Sequence, residues 1–397
     1  MDTVPGAARP AAPTQSEVSR MELDLSNEQE LLRQTAARFI EATCPLSVVR
    51  RLIGDETGLP ADYLEAAGRL GWFSLLVPEE DGGADASGTG LCDLAIVAEE
   101  RGRVLQPGPF ASMNVAAAAL ADAGSATQRA EILPAICEGV SLATWASGDR
   151  ATGSVPDATL TATTCAGGFV VSGRTGPVPA ATEAEWLLVS ADGPEGPSQF
   201  ILESATPGIT ATPLAGLDVT QRFGRLSFDQ VVVAPTSLLG AFGGAGRDLE
   251  RELRVACVLS TSETVGAMDA LFDLTRRYAV DRTAFGRPIG SFQAVKHQLA
   301  DMSLSLETSK AVAAAALRAV QEDHDDAGEI LSMAKSWVSD AGIDLVQGCA
   351  QVFAGIGFTW EHDLHLFLRR ITMNGLLFGS SEWHRERICG IHAAEMR

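Results

Sequence analysis

Apolar positions recur along this chain with two different periods, and the change of period divides it. From residue 25 to 140 the period is helical. Ser26 and Gln29 have capping-box spacing, and Leu31, Leu32, Thr35, Ala36, Phe39 and Ile40 follow on one face at i, i+4 steps. "PADYLEAAGRLGWFSLLVPEEDGG" (60–83) predicts a second amphipathic helix ending at Gly71, then an apolar stretch and a turn. "GTGLCDLAIVAEERGR" and "SMNVAAAALADAG" predict two more helices, with Gly102 and Gly124 as stops.

Near residue 140 the pattern shortens. "TLTATTC", "GGFVVSG", "EWLLVSA", "SQFILES" and "GRLSFDQVVVAP" are brief runs rich in Val, Thr, Ile and aromatics, separated by Gly, Pro and Asp at strand-and-turn spacing. "LLGAFGGAGRDLE" (238–250) then leads back into helix. It lacks G-x-G-x-x-G and a preceding βαβ unit, so it reads as an interdomain hinge and not as a phosphate loop. Long helical patterns follow at 248–282, 291–322, 326–350 and 360–373, with a last one at 381–390. The expected fold class is α+β: a disordered tail (1–20), an all-α domain (21–140), a β-barrel or sandwich domain (141–240) and a C-terminal four-helix bundle (241–397).

Composition narrows the function. Hydrophobic residues make up 46% and charged residues 20%, an ordinary globular balance. A formal net charge of −21 argues against nucleic acid or an anionic membrane as partner, but leaves room for an anionic small ligand held by local arginines. No run approaches the ~18 apolar residues of a membrane span. The opening stretch "MDTVPGAARPAAPTQSEVSR" lacks the basic-then-apolar order of a secretory signal, so a soluble, cytoplasmic protein is expected. Seven scattered cysteines without a C-x-x-C pair read as reduced thiols. In "EHDLH" (361–365) the H-E-x-x-H order is absent, and a solvated helix face is expected in place of a metal site.

One stretch asks for more than punctuation: "RYAVDRTAFGRPIGSFQAVKHQLADM" (277–302). Arg276, Arg277 and Arg282 could simply complement the negative pole of a helix C-terminus. That leaves unexplained the string Tyr278, Arg282, Phe285, Gly286, Pro288, Ile289, Phe292, Gln293, Lys296, Leu299, Ala300, Asp301 and Met302. Here the sequence strongly resembles the acyl-CoA dehydrogenases, which carry Y-x-x-x-R-x-x-F-G-x-P-I-x-x-F-Q-x-x-x-x-x-L-A-D-M. The resemblance extends over residues 22–390, with a second dense motif in "QVFAGIGFTWEHDLHLFLRR" (351–370), similar to the family's Q-x-x-G-G-x-G-[YF]-T.

The resemblance implies a flavoprotein that binds FAD and oxidises an acyl-CoA to its 2-enoyl thioester, with an electron-transfer flavoprotein as acceptor. It implies that Arg282 contacts the FAD pyrophosphate and that Phe285 and Gln293 line the adenosine side. It further implies that Gln351 and Gly355 reach the cofactor of a neighbouring subunit, and that Ser380, in the place of the family's threonine, belongs to the cofactor set. A dimer or tetramer follows. Ala354 replaces the first glycine of the usual pair.

The family's catalytic carboxylate is missing from both usual places. One is occupied by Phe378, ahead of Gly379, Ser380 and Ser381; the other, on the helix of the first motif, is Ala256, followed by Cys257. Two carboxylates remain on that helix, Glu252 and Glu263. Glu263, in the uncharged "STSETVGAM", is the candidate base, because burial there would raise its pKa; Glu252, in the charged "DLERELR", is the weaker one. The family's Thr-Glu-Pro and Gly-Ser-Asp also reduce here to Ala143, Thr144, Gly153 and Ser154 in "ATWASGDRATGS", with Trp145 expected as a core aromatic. Two readings stay open: a dehydrogenase with a displaced base, or a base-less subunit that completes the FAD site of a heteromeric one. Flavin-independent reuse of the scaffold is a third, against which Arg282 and Gln293 speak.

Overall fold

A computed structural model describes residues 25–55, 58–85, 88–147 and 159–395. The expected tail, and Gly153 and Ser154, lie outside the described residues.

The N-terminal unit is helical. Helix α1 (Asn27–Thr43) opens on the anticipated capping box: Gln29 N–H donates to Ser26 Oγ and Ser26 N–H to Gln29 Oε1, each at 3.2 Å. Short helices α2 (Leu46–Arg51) and α3 (Tyr63–Gly68) follow, then α4 (Gly90–Arg103), α5 (Phe110–Ala123), α6 (Ala126–Glu131) and α7 (Leu133–Cys137). Helix α3 is shorter than its pattern, because Asp62 adopts a left-handed φ of 57° just before it. Gly124 caps α5 as expected, whereas Gly102 lies within the last turn of α4 and serves a different purpose.

That purpose is contact. A Cβ placed on Gly102 would lie 2.0 Å from the Glu263 carbonyl oxygen, and one on Gly266 2.0 Å from that of Glu99. Helix α4 therefore crosses the long helix α8 (Gly246–Asp281) backbone against backbone, and this crossing fixes the height of Glu263.

The middle unit holds strands β1 (Ala143–Ser147), β2 (Leu160–Cys165), β3 (Gly168–Arg174), β4 (Val178–Pro179), β5 (Trp186–Gly193), β6 (Gly196–Glu203), β7 (Ile209–Leu214), β8 (Phe223–Val233) and β9 (Leu238–Leu239). They form one sheet in the order β4-β8-β3-β2-β5-β6-β9. Strand β5 takes β1 as an additional, parallel partner and β8 takes β7, so the sheet branches at these two strands. Its apolar face packs under the N-terminal helices and the start of α8, where Leu187, Val189, Phe200 and Leu226 join the core with Leu120 and Val258.

After α8 a two-residue hairpin, β10 (Thr283–Ala284) and β11 (Arg287–Pro288), turns the chain into α9 (Gln293–Gln321), α10 (Ala327–Phe353), α11 (Leu364–Leu376) and α12 (Ser381–Glu395). Met268, Leu271, Leu345, Phe353, Phe367 and Ile371 fill the bundle centre. By length and composition α8 and α10 could each cross a membrane, yet their apolar faces are what this core is made of. The seven cysteines are free thiols, as their spacing predicts.

Candidate active site and cofactor corner

Helix α11 ends in a sharp turn that presents Phe378, the residue standing in the usual base position. Phe378 has φ 61° and Gly379 φ 103°, both left-handed. Three helices hold this turn by its carbonyls. Cys257 Sγ of α8 donates to Phe378 O at 3.3 Å, and His384 Nε2 of α12 meets the same oxygen at 3.0 Å. Lys335 of α10 donates to Asn374 O, one turn earlier, and to Ser260 Oγ at 3.3 Å. All three are buried, and burial tells on each: it pushes the Cys257 thiol up to about 12, lowers the Lys335 ammonium to about 8 and lowers His384 to about 3, where the Lys335 charge adds to the effect. His384 is therefore neutral and donates through Nε2–H, leaving Nδ1 without a partner.

The Phe378 ring is buried and stacks on Trp145, with centroids 6.2 Å apart and planes 15° apart. Trp145 is 4% exposed, the core aromatic expected, and its Nε1–H donates to Ser190 Oγ at 3.1 Å. Phe378 also forms one wall of a narrow, solvent-open cleft with free room of only about 30 Å³. Pro109, Phe110, Ala111, Pro179 and Leu377 supply further apolar wall, and Ser112, Gln221, Ser260, Glu263 and Asn374 the polar part. Its mouth continues past Gly108, Pro109 and Gln221 toward Leu59, Leu142 and Arg222.

Glu263 does reach this cleft, but not as the isolated buried acid expected. Its Oε1 accepts from Arg370, whose guanidinium is wholly buried. Arg370 also donates through Nε to Asp218 Oδ2 at 2.5 Å, and through its terminal nitrogens to Gln106 O at 3.0 Å, Leu105 O at 3.1 Å and Thr220 Oγ1 at 2.7 Å. Five partners from the N-terminal unit, the sheet unit and the bundle thus converge on one cation. The Glu263 carboxylate is thereby tied into an ion pair with a fixed guanidinium.

Glu252 departs from expectation more sharply. Although it sits in the most charged run of α8, its side chain is 3% exposed. Its Oε2 accepts from Gln199 Nε2 of β6 at 2.6 Å, and its Oε1 has no partner. Burial pushes its pKa up to about 8, with Asp248 adding to the rise and the Gln199 bond opposing it, so the carboxyl is protonated at neutral pH. It faces the seam between sheet and bundle, whereas Glu263 faces the cleft.

The cofactor candidates fall into two groups. Arg282 closes α8, and Phe285, 95% exposed with φ 53°, tips the hairpin beyond it. Gln293 begins α9, while Gln351 and Gly355 end α10 and open the next loop. Tyr278, one turn before Arg282, packs on Phe353 at 4.7 Å, so the two motifs share one end of the bundle. The side chains of Arg282, Gln293 and Gln351 are exposed and have no partner among the described residues. A Cβ on Gly355 would meet nothing within 4 Å. Such a row of free donors beside open backbone fits an anionic pyrophosphate. Ser380 lies elsewhere: it follows Phe378, which Cys257 holds, and Cys257 precedes Arg282 on α8 by about 37 Å at ~1.5 Å per residue. Among the described residues no group of His, Cys, Asp and Glu could hold a metal, and "EHDLH" is a surface segment in which His365 stacks on Trp360.

Ala354 carries the largest local anomaly. It stands at φ 54°, ψ −139°, a conformation proper to glycine.

Comparison with known proteins bears on family and fold. Residues 26–140 match the family described as acyl-CoA dehydrogenase, N-terminal domain, and residues 246–390 that described as acyl-CoA dehydrogenase, C-terminal domain. The acyl-CoA dehydrogenase IpdE2 of Mycolicibacterium smegmatis is 29% identical over 360 residues, 89% of this chain and 96% of that protein. The protein of the same name from Mycobacterium tuberculosis is 30% identical over 349 residues, 86% of this chain and 90% of its own. Among solved structures, the Tcur3481-Tcur3483 steroid ACAD superposes with a TM-score of 0.82 at 27% identity, covering 93% of this chain and 98% of that one.

Proposed function

Because this chain belongs to the acyl-CoA dehydrogenase family, an FAD-dependent oxidoreductase family acting on acyl-CoA, we propose that it takes part in that reaction as the subunit without the base. It completes an FAD site in a heteromeric enzyme whose partner carries the catalytic carboxylate.

One observation carries this reading: among the described residues, neither of the two positions expected for the family's base holds a carboxylate. Phe378 fills one base position and Ala256, fully buried, the other. Glu263 lies seven residues beyond Ala256 on α8, about 10 Å along the axis at ~1.5 Å per residue, and its Oε1 is committed to Arg370. Glu252 faces β6. When bound, FAD takes the β-hydrogen as hydride while a carboxylate removes the α-proton. This chain's contribution is to bind and orient: Arg282 and Gln351 toward the pyrophosphate, Phe285 and Gln293 toward the adenosine, Gly355 by close backbone approach, and Ser380 at the flavin end. Ser380, next to the Cys257 contact, and Arg282 stand toward opposite ends of α8, about 37 Å apart at ~1.5 Å per residue, so an FAD would draw on them from two different chains. Exposed Ile356, Phe358 and Trp360 beside that corner are in keeping with a covering subunit. The Tcur3481-Tcur3483 relative is itself named for two components. An electron-transfer flavoprotein is the proposed acceptor.

The test is an anaerobic visible spectrum of the chain, alone and co-purified with a second acyl-CoA dehydrogenase subunit, before and after acyl-CoA is added. Flavin that never bleaches in the chain alone, or that binds only with the partner, is expected. Bleaching in the chain alone, abolished by Glu263→Gln, would instead make Glu263 the base.

A further inference from the structure

A chain of hydrogen bonds joins the seam between sheet and bundle to the wall of the cleft. Ser190 of β5 and Gln199 of β6 are direct cross-strand partners, so their side chains rise together on one face of the sheet. Strand β1 runs parallel to β5 with Trp145 opposite Leu188, which sets the indole on that same face, one step from Ser190. There Ser190 Oγ accepts from Trp145 Nε1–H at 3.1 Å and from Gln199 Nε2 at 3.3 Å. Gln199 Nε2 donates again to Glu252 Oε2, at 2.6 Å. At the other end Trp145 stacks on Phe378, two residues before Ser380. Every member is buried, from 1% exposed at Gln199 to 8% at Phe378.

We propose that this chain of bonds is a proton-linked coupling: ionisation of Glu252 at the seam is transmitted through Gln199 and Ser190 to the Trp145–Phe378 wall of the cleft. The inference holds whether or not the protein carries a base of its own. Its physical cause is a shortage of donors. Glu252 Oε1 has no partner, which a buried neutral acid tolerates far better than a buried carboxylate does. The Gln199 amide has two hydrogens, and the structure divides them between Glu252 and Ser190. A charged acceptor binds a hydrogen about twice as strongly as a neutral one. The carboxylate therefore draws the amide toward itself and away from Ser190, where its bond is already the longer. Ser190 is then free to shift, and the indole that rests on it shifts too. Few charges compete with this pull. Asp248 and Arg251 of α8 act on Glu252, and Arg251 is itself paired with Asp122 of α5. The sheet side meets it with the neutral Gln199 amide. Glu252 holds its proton at neutral pH and releases it at about 8, so the movement falls on the alkaline side of neutrality.

The experiment is fluorine NMR of the full chain labelled with 5-fluorotryptophan and titrated from pH 6 to pH 10. The chain has six tryptophans, and the resonance of Trp145 is identified by its loss in Trp145→Phe. That resonance is expected to shift with a midpoint at about pH 8, and to stay fixed in Glu252→Gln, which cannot ionise. Ser190→Ala removes the link while keeping the acid. In that background the stability gained by adding Glu252→Gln should still grow with pH, whereas the Trp145 resonance should no longer follow it. A thermal melt of each variant serves as the folding control. A parent resonance that stays flat across the range would overturn the inference, as would one that still follows pH in Ser190→Ala. A shift that survives Glu252→Gln would overturn it too. It would belong instead to Lys335, which also titrates at about 8 and grips the same turn through Asn374 O.

Discussion

Replacing Glu252 with glutamine should stabilise this protein at neutral pH, and the gain should depend on pH in a way fixed by the structure. Folding takes the carboxyl from water, where its pKa is 4.5, to a seam where burial raises it to about 8. A raised folded-state pKa in an acid means that the unfolded chain holds fewer protons between those values. Stability from this group is therefore intact below pH 4.5 and declines as pH rises toward 8, at ~1.4 kcal/mol per unit. At pH 7 the accumulated loss is about 3 kcal/mol on this scale. Glutamine has the shape of the protonated acid and cannot ionise. Its carbonyl can keep the Gln199 bond, and its amide group occupies the site of Oε1, which already lacks a partner. The difference in melting temperature between Glu252→Gln and the parent, taken at each pH from 5 to 9, should start near zero, grow with pH and level off above 8. A difference that stays flat across that range would refute the reasoning, whatever its sign.

Three further outcomes are expected. Ala354→Gly removes a φ 54°, ψ −139° alanine worth ~1–3 kcal/mol of strain, less ~0.4–1 kcal/mol for the looser unfolded chain, so the denaturation midpoint should rise by about 1 kcal/mol. Gly102→Ala pushes a methyl to within 2.0 Å of the Glu263 carbonyl, and chemical denaturation should register a loss of at least about 2 kcal/mol as α4 and α8 part. Arg370→Lys cannot serve five partners from one ammonium; stranding Asp218 or Glu263 should cost ~3–5 kcal/mol in the same assay.

Much of the architecture was legible in one dimension because its causes are local. The Ser26–Gln29 cap, the stripes of α8 to α10 and the short strands from 160 to 233 each arise from neighbours a few residues apart. The two motifs were legible, and Tyr278 on Phe353 brings them together at one end of the bundle. The interior of the site was not. Nothing within the charged "DLERELR" marks Glu252 as buried, since its partner Gln199 comes from β6, 53 residues upstream. Glu263 looked like an isolated acid because Arg370 lies 107 residues downstream. Gly102 read as a helix stop, because a crossing contact leaves the same glycine as a terminus does.

Arg370 has a consequence for how the chain comes apart. Its partners belong to the segment after α4, the loop before β8, helix α8 and helix α11 itself, so no cut between the sequence blocks leaves it satisfied. A fragment beginning at Gly246 would keep the guanidinium and Glu263 while losing Asp218, Thr220 and the carbonyls of Leu105 and Gln106. The boundaries that separate helices from strands in the sequence are therefore not boundaries of autonomous folding, and the three units should melt as one cooperative body.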